Sequence, residues 1–128
     1  MSEQRSRPAP AGLRASFAYA LAGLHRFAVT DRNAWIHAIA SVAAVVVGLW
    51  LELTMPEWRW VIAALAMVWL AEAFNTAIER LSDAVSIERN HNIRFAKDVA
   101  AGAVLVAIIA ASLIAFTVFG PHLLVLFH

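Results

Sequence analysis

The chain of 128 residues has no cysteine. Disulfides, thiolate zinc sites and cysteine nucleophiles are therefore excluded. Charge is also scarce. Asp, Glu, Lys and Arg make up 15% of the residues, against about 25% in an ordinary soluble domain. Glycine is limited to Gly12, Gly23, Gly48, Gly102 and Gly120. Neither GxxxxGK nor GxGxxG occurs, so a P-loop and a Rossmann turn are excluded as phosphate binders. A net charge of +1 carries no polyanion signal and implies no nucleic-acid partner. What is abundant is apolar: 62% of the chain is hydrophobic. So few polar residues cannot cover a water-facing surface. That argues against a soluble globular domain and a disordered chain, and for a small integral membrane protein.

A membrane-spanning helix needs about 20 mostly apolar residues. One charge-free run extends from Ala34 to Leu51. A second runs from Trp60 to Ile78 and is interrupted once, by Glu72. A third begins at Val99 and has no Asp, Glu, Lys or Arg as far as His128. Gly120-Pro121 is expected to end its helix near Phe119, because proline removes a helical hydrogen bond. Between Gly12 and Val29, Phe17, Leu21, Leu24 and Phe27 recur at helical spacing, punctuated by Arg14, His25 and Arg26. That pattern reads as an amphipathic helix in the membrane interface. The expected organisation is a single all-α integral membrane domain over 1–128. It has a polar tail (1–11), a surface helix (12–29) and transmembrane helices over about 34–54, 58–80 and 96–119. The N-terminal stretch lacks the compact apolar core of a signal peptide and is expected to stay in the mature chain.

Of the ten basic residues, five precede the first span and four lie between the second and third. Only Arg59 sits between the first two spans. The positive-inside rule then places the N-terminus in the cytoplasm and the C-terminus outside. The short loop LTMPEW becomes external, with Pro56 in its turn. Trp50, Trp58 and Trp60 mark that outer boundary as an aromatic belt.

An ionisable residue inside a span is costly and points to function. Glu72 is followed by Asn75, Glu79 and Asp83, at offsets of 3, 7 and 11. At about 100° per residue these four share one helical face. Glu72 lies about 10 Å deeper along the helix than Glu79. Carboxylates are hard oxygen ligands suited to Mg²⁺, and a carboxylate taken out of water is a stronger base. A structural alternative is that Glu72 and Asn75 only hydrogen-bond between helices. Another is a small proton-coupled transporter in which Glu72 exchanges protons. At the mouth of the stripe, the loop and the start of the third span gather Arg80, Glu88, Arg89, Asn90, His91, Asn92, Arg94, Lys97 and Asp98. Lys97 is the only lysine, and a compact ammonium can contact a nucleotide phosphate. Ala96, Ala100, Ala103, Ala107 and Ala111 form a small-residue stripe that permits close helix approach. Three short spans enclose little volume, so oligomerisation is expected to bury the carboxylates.

The stretch Glu72-Ala-Phe-Asn-Thr-Ala-Ile-Glu79, then Asp83, then Ala96-Lys-Asp-Val-Ala-Ala-Gly-Ala-Val104 closely resembles the prokaryotic diacylglycerol kinase and undecaprenol kinase family. Its signature is E-x-x-N-[ST]-A-I-E followed by A-K-D-x-A-[AS]-[AG]-A-V. Upstream, Ser16 to Leu24 and Asp31-Arg-Asn33-Ala-Trp-Ile-His37 resemble the family's surface helix and its E-x-N-x-x-I-H segment. The resemblance covers roughly residues 13–119. It implies a homotrimer of three-span subunits in the inner or plasma membrane. Such a protein transfers the γ-phosphoryl group of MgATP to the hydroxyl of undecaprenol or diacylglycerol.

By resemblance, Glu72 is the general base toward that hydroxyl and Asn75 orients the site. Glu79 binds Mg²⁺ together with Asp31. Lys97 contacts the nucleotide phosphates, and Asp98 positions the lipid or supports Lys97. Tyr19 lies where the family's surface helix lines the nucleotide site. Three positions depart from the family pattern. Asp31 stands where Glu is usual, which shortens the reach by one methylene. Asn90 takes the place of the loop histidine, with His91 shifted by one, so no histidine role carries over. Ala22 replaces a polar residue found in some members.

Overall fold

Asp31 is where the chain leaves its first helix and enters its second. Its backbone is extended, and its amide donates back to the Phe27 carbonyl at 3.1 Å. Its side chain meanwhile accepts the Asn33 amide at 2.8 Å, capping the next helix. The computed structural model describes residues 12–85 and 90–127. The expected polar tail 1–11, and Glu88 and Arg89 of the loop, lie outside the described residues. The described residues form four helices and their short connections: α1 (Leu13–Thr30), α2 (Arg32–Trp50), α3 (Met55–Val85) and α4 (His91–Leu126). The last three are long and apolar enough to cross a membrane.

Local chemistry fixes the turn between α2 and α3. The Leu53 amide donates to the Gly48 carbonyl and the Glu52 amide to that of Leu49, the pattern of a Schellman stop. Glu52 adopts φ 53°, a left-handed conformation normally left to glycine. Thr54 then opens α3. Its amide and its hydroxyl both donate to Glu57 Oε2 at 2.7 Å, a capping box with Glu three residues on. Pro56 therefore belongs to the first turn of α3 and not to a loop, since the first-turn N–H groups have no helical acceptor to lose. At the other end, Asn90 caps α4 by accepting the Asn92 amide at 2.9 Å.

The third span differs from expectation at its end. α4 continues through Gly120 and Pro121 to Leu126. Pro121 still removes one helical donor. Beyond it, His122 Nε2 lies 2.8 Å from Glu57 Oε1, which ties this last stretch to the start of α3 and offsets the missing bond.

α3 and α4 form the most extensive pairing. Of the small-residue stripe, Ala100 and Ala107 are buried, whereas Ala96 and Ala103 remain exposed. Near the α2–α3 turn, Leu53, Val61 and Val118 form a small core, flanked by Trp58 and Phe119. α1 is joined to α3 through Phe27, whose ring meets Trp69 edge-on at 5.9 Å. Large apolar side chains such as Ile39, Val106 and Phe116 face outward. In water such a surface would be a liability, whereas hydrocarbon is its natural solvent.

Candidate active site

Three polar rungs set α2 against α3. Thr76 Oγ1 donates to Asp31 Oδ2 at 2.7 Å. His37 Nε2 lies 3.9 Å from Glu72 Oε2. Trp69 Nε1 donates to Ser41 Oγ at 2.9 Å, and Ser41 in turn donates to the His37 carbonyl at 2.7 Å. As residue numbers rise on α2 they fall on α3, so the rungs describe one antiparallel register.

The four-residue stripe divides in depth. Glu72 is 1% exposed and Asn75 7%, whereas Glu79 and Asp83 are exposed. Glu72 Oε1 and Asn75 Oδ1 are buried without a hydrogen-bond partner. Buried polar atoms in that condition are uncommon, and each calls for a partner the single chain does not supply. Asn75 also borders an apolar groove of about 690 Å³ between α3 and α4, lined by Phe74, Phe95 and Val99 among others.

Asp31 is half-buried at the junction of α1 and α2. Burial pushes its carboxyl up. The Thr76 hydroxyl, the amides of Asn33 and Ala34, and the Arg80 charge outweigh this and hold it below the ordinary value of 3.8. It is thus a secure anion. Tyr19 is largely exposed and lines a groove of about 730 Å³ between α1 and α3, with Arg26, Thr76 and Arg80. Lys97 Nζ pairs with Asp83 Oδ1 at 3.1 Å, linking α4 to the end of the stripe. Asp98 is exposed, and its nearest recorded cation is Arg94 on its own helix, at 4.0 Å. The structure thus joins Asp31 to α3 and Lys97 to Asp83. Among the described residues no group of three or more His, Asp or Glu side chains converges as a metal site.

The sequence model of the prokaryotic diacylglycerol kinase family matches residues 18–119. The chain belongs to this family. An undecaprenol kinase from Bacillus subtilis (strain 168) is 34% identical over 108 residues, covering 84% of this chain and 88% of the relative. A diacylglycerol kinase from Synechocystis is 36% identical over 113 residues, covering 88% of this chain and 65% of the relative. A diacylglycerol kinase from Escherichia coli K12 is 33% identical over 87 residues, covering 62% and 71%. Membership decides between the two functions that Glu72 left open, kinase and transporter. The protein is a multi-pass membrane lipid kinase, a phosphotransferase that uses ATP and acts on an alcohol group.

Thr76, Ser41, Trp69 and His37 acquire site roles only in the structure. Thr76 and His37 stand inside quoted family motifs, but nothing in a motif says which helix a side chain meets. Ser41 and Trp69 lie in apolar runs, where a polar atom at helical spacing from Glu72 is the one available signal.

Proposed function

We propose that this kinase transfers the γ-phosphoryl group of MgATP to the hydroxyl of a membrane lipid, undecaprenol or diacylglycerol, with Glu72 as general base. One observation carries the reading: an almost fully buried carboxylate with an oxygen left without a partner. A lipid hydroxyl presented to that oxygen supplies the missing hydrogen bond and gives up its proton to Glu72 as its oxygen bonds to the γ-phosphorus, while the bond from that phosphorus to the bridging oxygen breaks and ADP leaves. Asn75, also short of a partner on the same face, orients the hydroxyl. Phosphoryl transfer asks the protein mainly for positioning and charge neutralisation. Lys97 meets the nucleotide phosphates, Tyr19 lines the nucleotide site, and Asp98 positions the lipid headgroup or supports Lys97.

Mg²⁺ fits the donors available. It typically takes one or two carboxylates and completes its shell with phosphate and water oxygens. Asp31, held anionic, and exposed Glu79 are such carboxylates. When bound, the ion neutralises charge on the transferred phosphoryl group. Asp31 Oδ2 accepts from Thr76, which holds this carboxylate against α3.

The finer architecture follows the same reading. α1 lies in the cytoplasmic interface, supported by Leu13, Phe17, Leu21 and Leu24, all outward-facing in the single chain. The basic residues set the N-terminus in the cytoplasm and the C-terminus outside the inner or plasma membrane. Three copies assemble, which brings protein to the exposed apolar faces of the spans and to Glu79. The test is transfer of labelled γ-phosphate from ATP in membranes containing the chain, with undecaprenol and diacylglycerol offered in parallel. Label in one lipid identifies the acceptor. Label in neither, from correctly folded protein, refutes the reading.

A further inference from the structure

We propose that Arg26 and Arg80, which line the α1–α3 groove from its two walls, bind phosphate oxygens of the nucleotide there. The inference rests on the reading of that groove, which Tyr19 also lines, as the nucleotide site.

The groove of about 730 Å³ combines small residues with two cations. Gly23 on α1 and Ala73 and Ala77 on α3 keep it open. A Cβ at Gly23 would meet nothing within 4 Å. Arg26 enters from α1 and Arg80 from α3. Helical spacing puts Ala73, Thr76, Ala77 and Arg80 on one face of α3. Thr76 on that face donates to Asp31 at 2.7 Å. Arg80 stands near enough for its charge to act on the same carboxylate. The groove and the carboxylate offered to Mg²⁺ are therefore neighbours.

Neither arginine has an acid within salt-bridge distance among the described residues. The pairs there are Lys97–Asp83, Arg94–Asp98 and two histidine contacts. Two guanidinium groups on one groove repel each other, and an anion placed between them turns that repulsion into attraction. Their planar forks match phosphate oxygens. A nucleoside diphosphate or triphosphate has a flat base for the small-residue lining beside Tyr19 and a row of phosphates for the arginines. A lipid headgroup phosphate offers the same oxygens without the base, and the experiment separates the two sources.

Full-length wild type, Arg26→Gln, Arg80→Gln, the two corresponding Lys variants and Arg14→Gln are compared in uncharged detergent micelles with Mg²⁺ saturating. The readouts are direct binding of ADP and of adenosine by equilibrium dialysis, and KM for MgATP and for the lipid. A guanidinium–phosphate contact at an exposed position falls at the low end of charged hydrogen bonds, so each Gln variant is expected to weaken ADP binding and raise KM for MgATP about 5- to 10-fold. Adenosine binding, kcat and KM for the lipid stay at wild-type values, because the contact is the same in ground and transition states. Lysine at either place restores part of the affinity by keeping the charge. Arg14 is exposed on α1 and does not line the groove, so Arg14→Gln leaves ADP binding unchanged. Wild-type ADP affinity in either Gln variant overturns the inference, which requires both arginines. An equal loss in Arg14→Gln also overturns it, because general surface charge then explains the effect. So does an equal loss of adenosine affinity, which reports a collapsed groove. If ADP binding is intact and the Gln variants lose only their stimulation by phosphatidylglycerol vesicles, the arginines serve lipid phosphate and the inference falls. Failure of the wild type itself to bind ADP refutes the nucleotide site as a whole.

Discussion

Replacing Thr76 by Val removes one hydroxyl and keeps the side-chain shape. That hydroxyl donates to Asp31 Oδ2 at 2.7 Å, while the Asn33 amide serves Oδ1 at 2.8 Å. A hydrogen bond to a charged acceptor contributes about 1.5–3 kcal/mol. Asp31 is only half-buried, so screening by water moves the expected loss to the lower end, about 1–1.5 kcal/mol. The pH dependence has a definite sign. The folded state holds Asp31 below its ordinary value of 3.8. Its contribution is therefore complete above that value and disappears as pH falls through the lowered folded value. Unfolding of wild type and Thr76→Val in detergent micelles, followed by circular dichroism at pH 7 and near pH 3, should show a clear deficit at pH 7 that shrinks in acid. Equal stability at pH 7, or a deficit that persists undiminished at low pH, would refute the argument.

Two further predictions concern the far end of α3. A Cβ at Gly48 would lie 2.8 Å from Trp58 Cη2, 3.0 Å from Cζ2 and 3.1 Å from Leu53 Cδ1. Gly48→Val is therefore expected to destabilise by about 1–3 kcal/mol while leaving kcat per folded molecule unchanged, as read by unfolding and turnover on one preparation. Glu57 serves both the Thr54 cap and His122. Glu57→Ala should thus lower the unfolding temperature more than His122→Ala, and an equal drop would mean that the cap contributes nothing.

Much of the fold is legible in the sequence because a span must satisfy its backbone within itself. Apolar length therefore reads directly as helix, and the small-residue stripe reads as a packing face. The boundaries are less legible because they depend on caps and remote contacts. The Thr54–Glu57 box draws Pro56 into α3, and the His122–Glu57 contact carries α4 past the Gly-Pro pair that suggests a stop. The site divides in the same way. The residues of the acidic stripe were visible, whereas the partners across the helix interface were not. Residue periodicity describes one helix and says nothing about the register of the next.

By itself the sequence determined that the chain is a helical membrane protein with scarce charge gathered at one boundary, and its motif spelled out the kinase family. Helical spacing also placed Glu72, Asn75, Glu79 and Asp83 on one face. Tertiary structure decided which of these are chemically unusual. Packing of α3 against its neighbours buries Glu72 and Asn75 and leaves Glu79 and Asp83 exposed. The same packing sets His37 across from Glu72 and Thr76 across from Asp31. A side chain's solvation and partners come from the helices that close over it, and that closure depends on the register between segments distant in the chain.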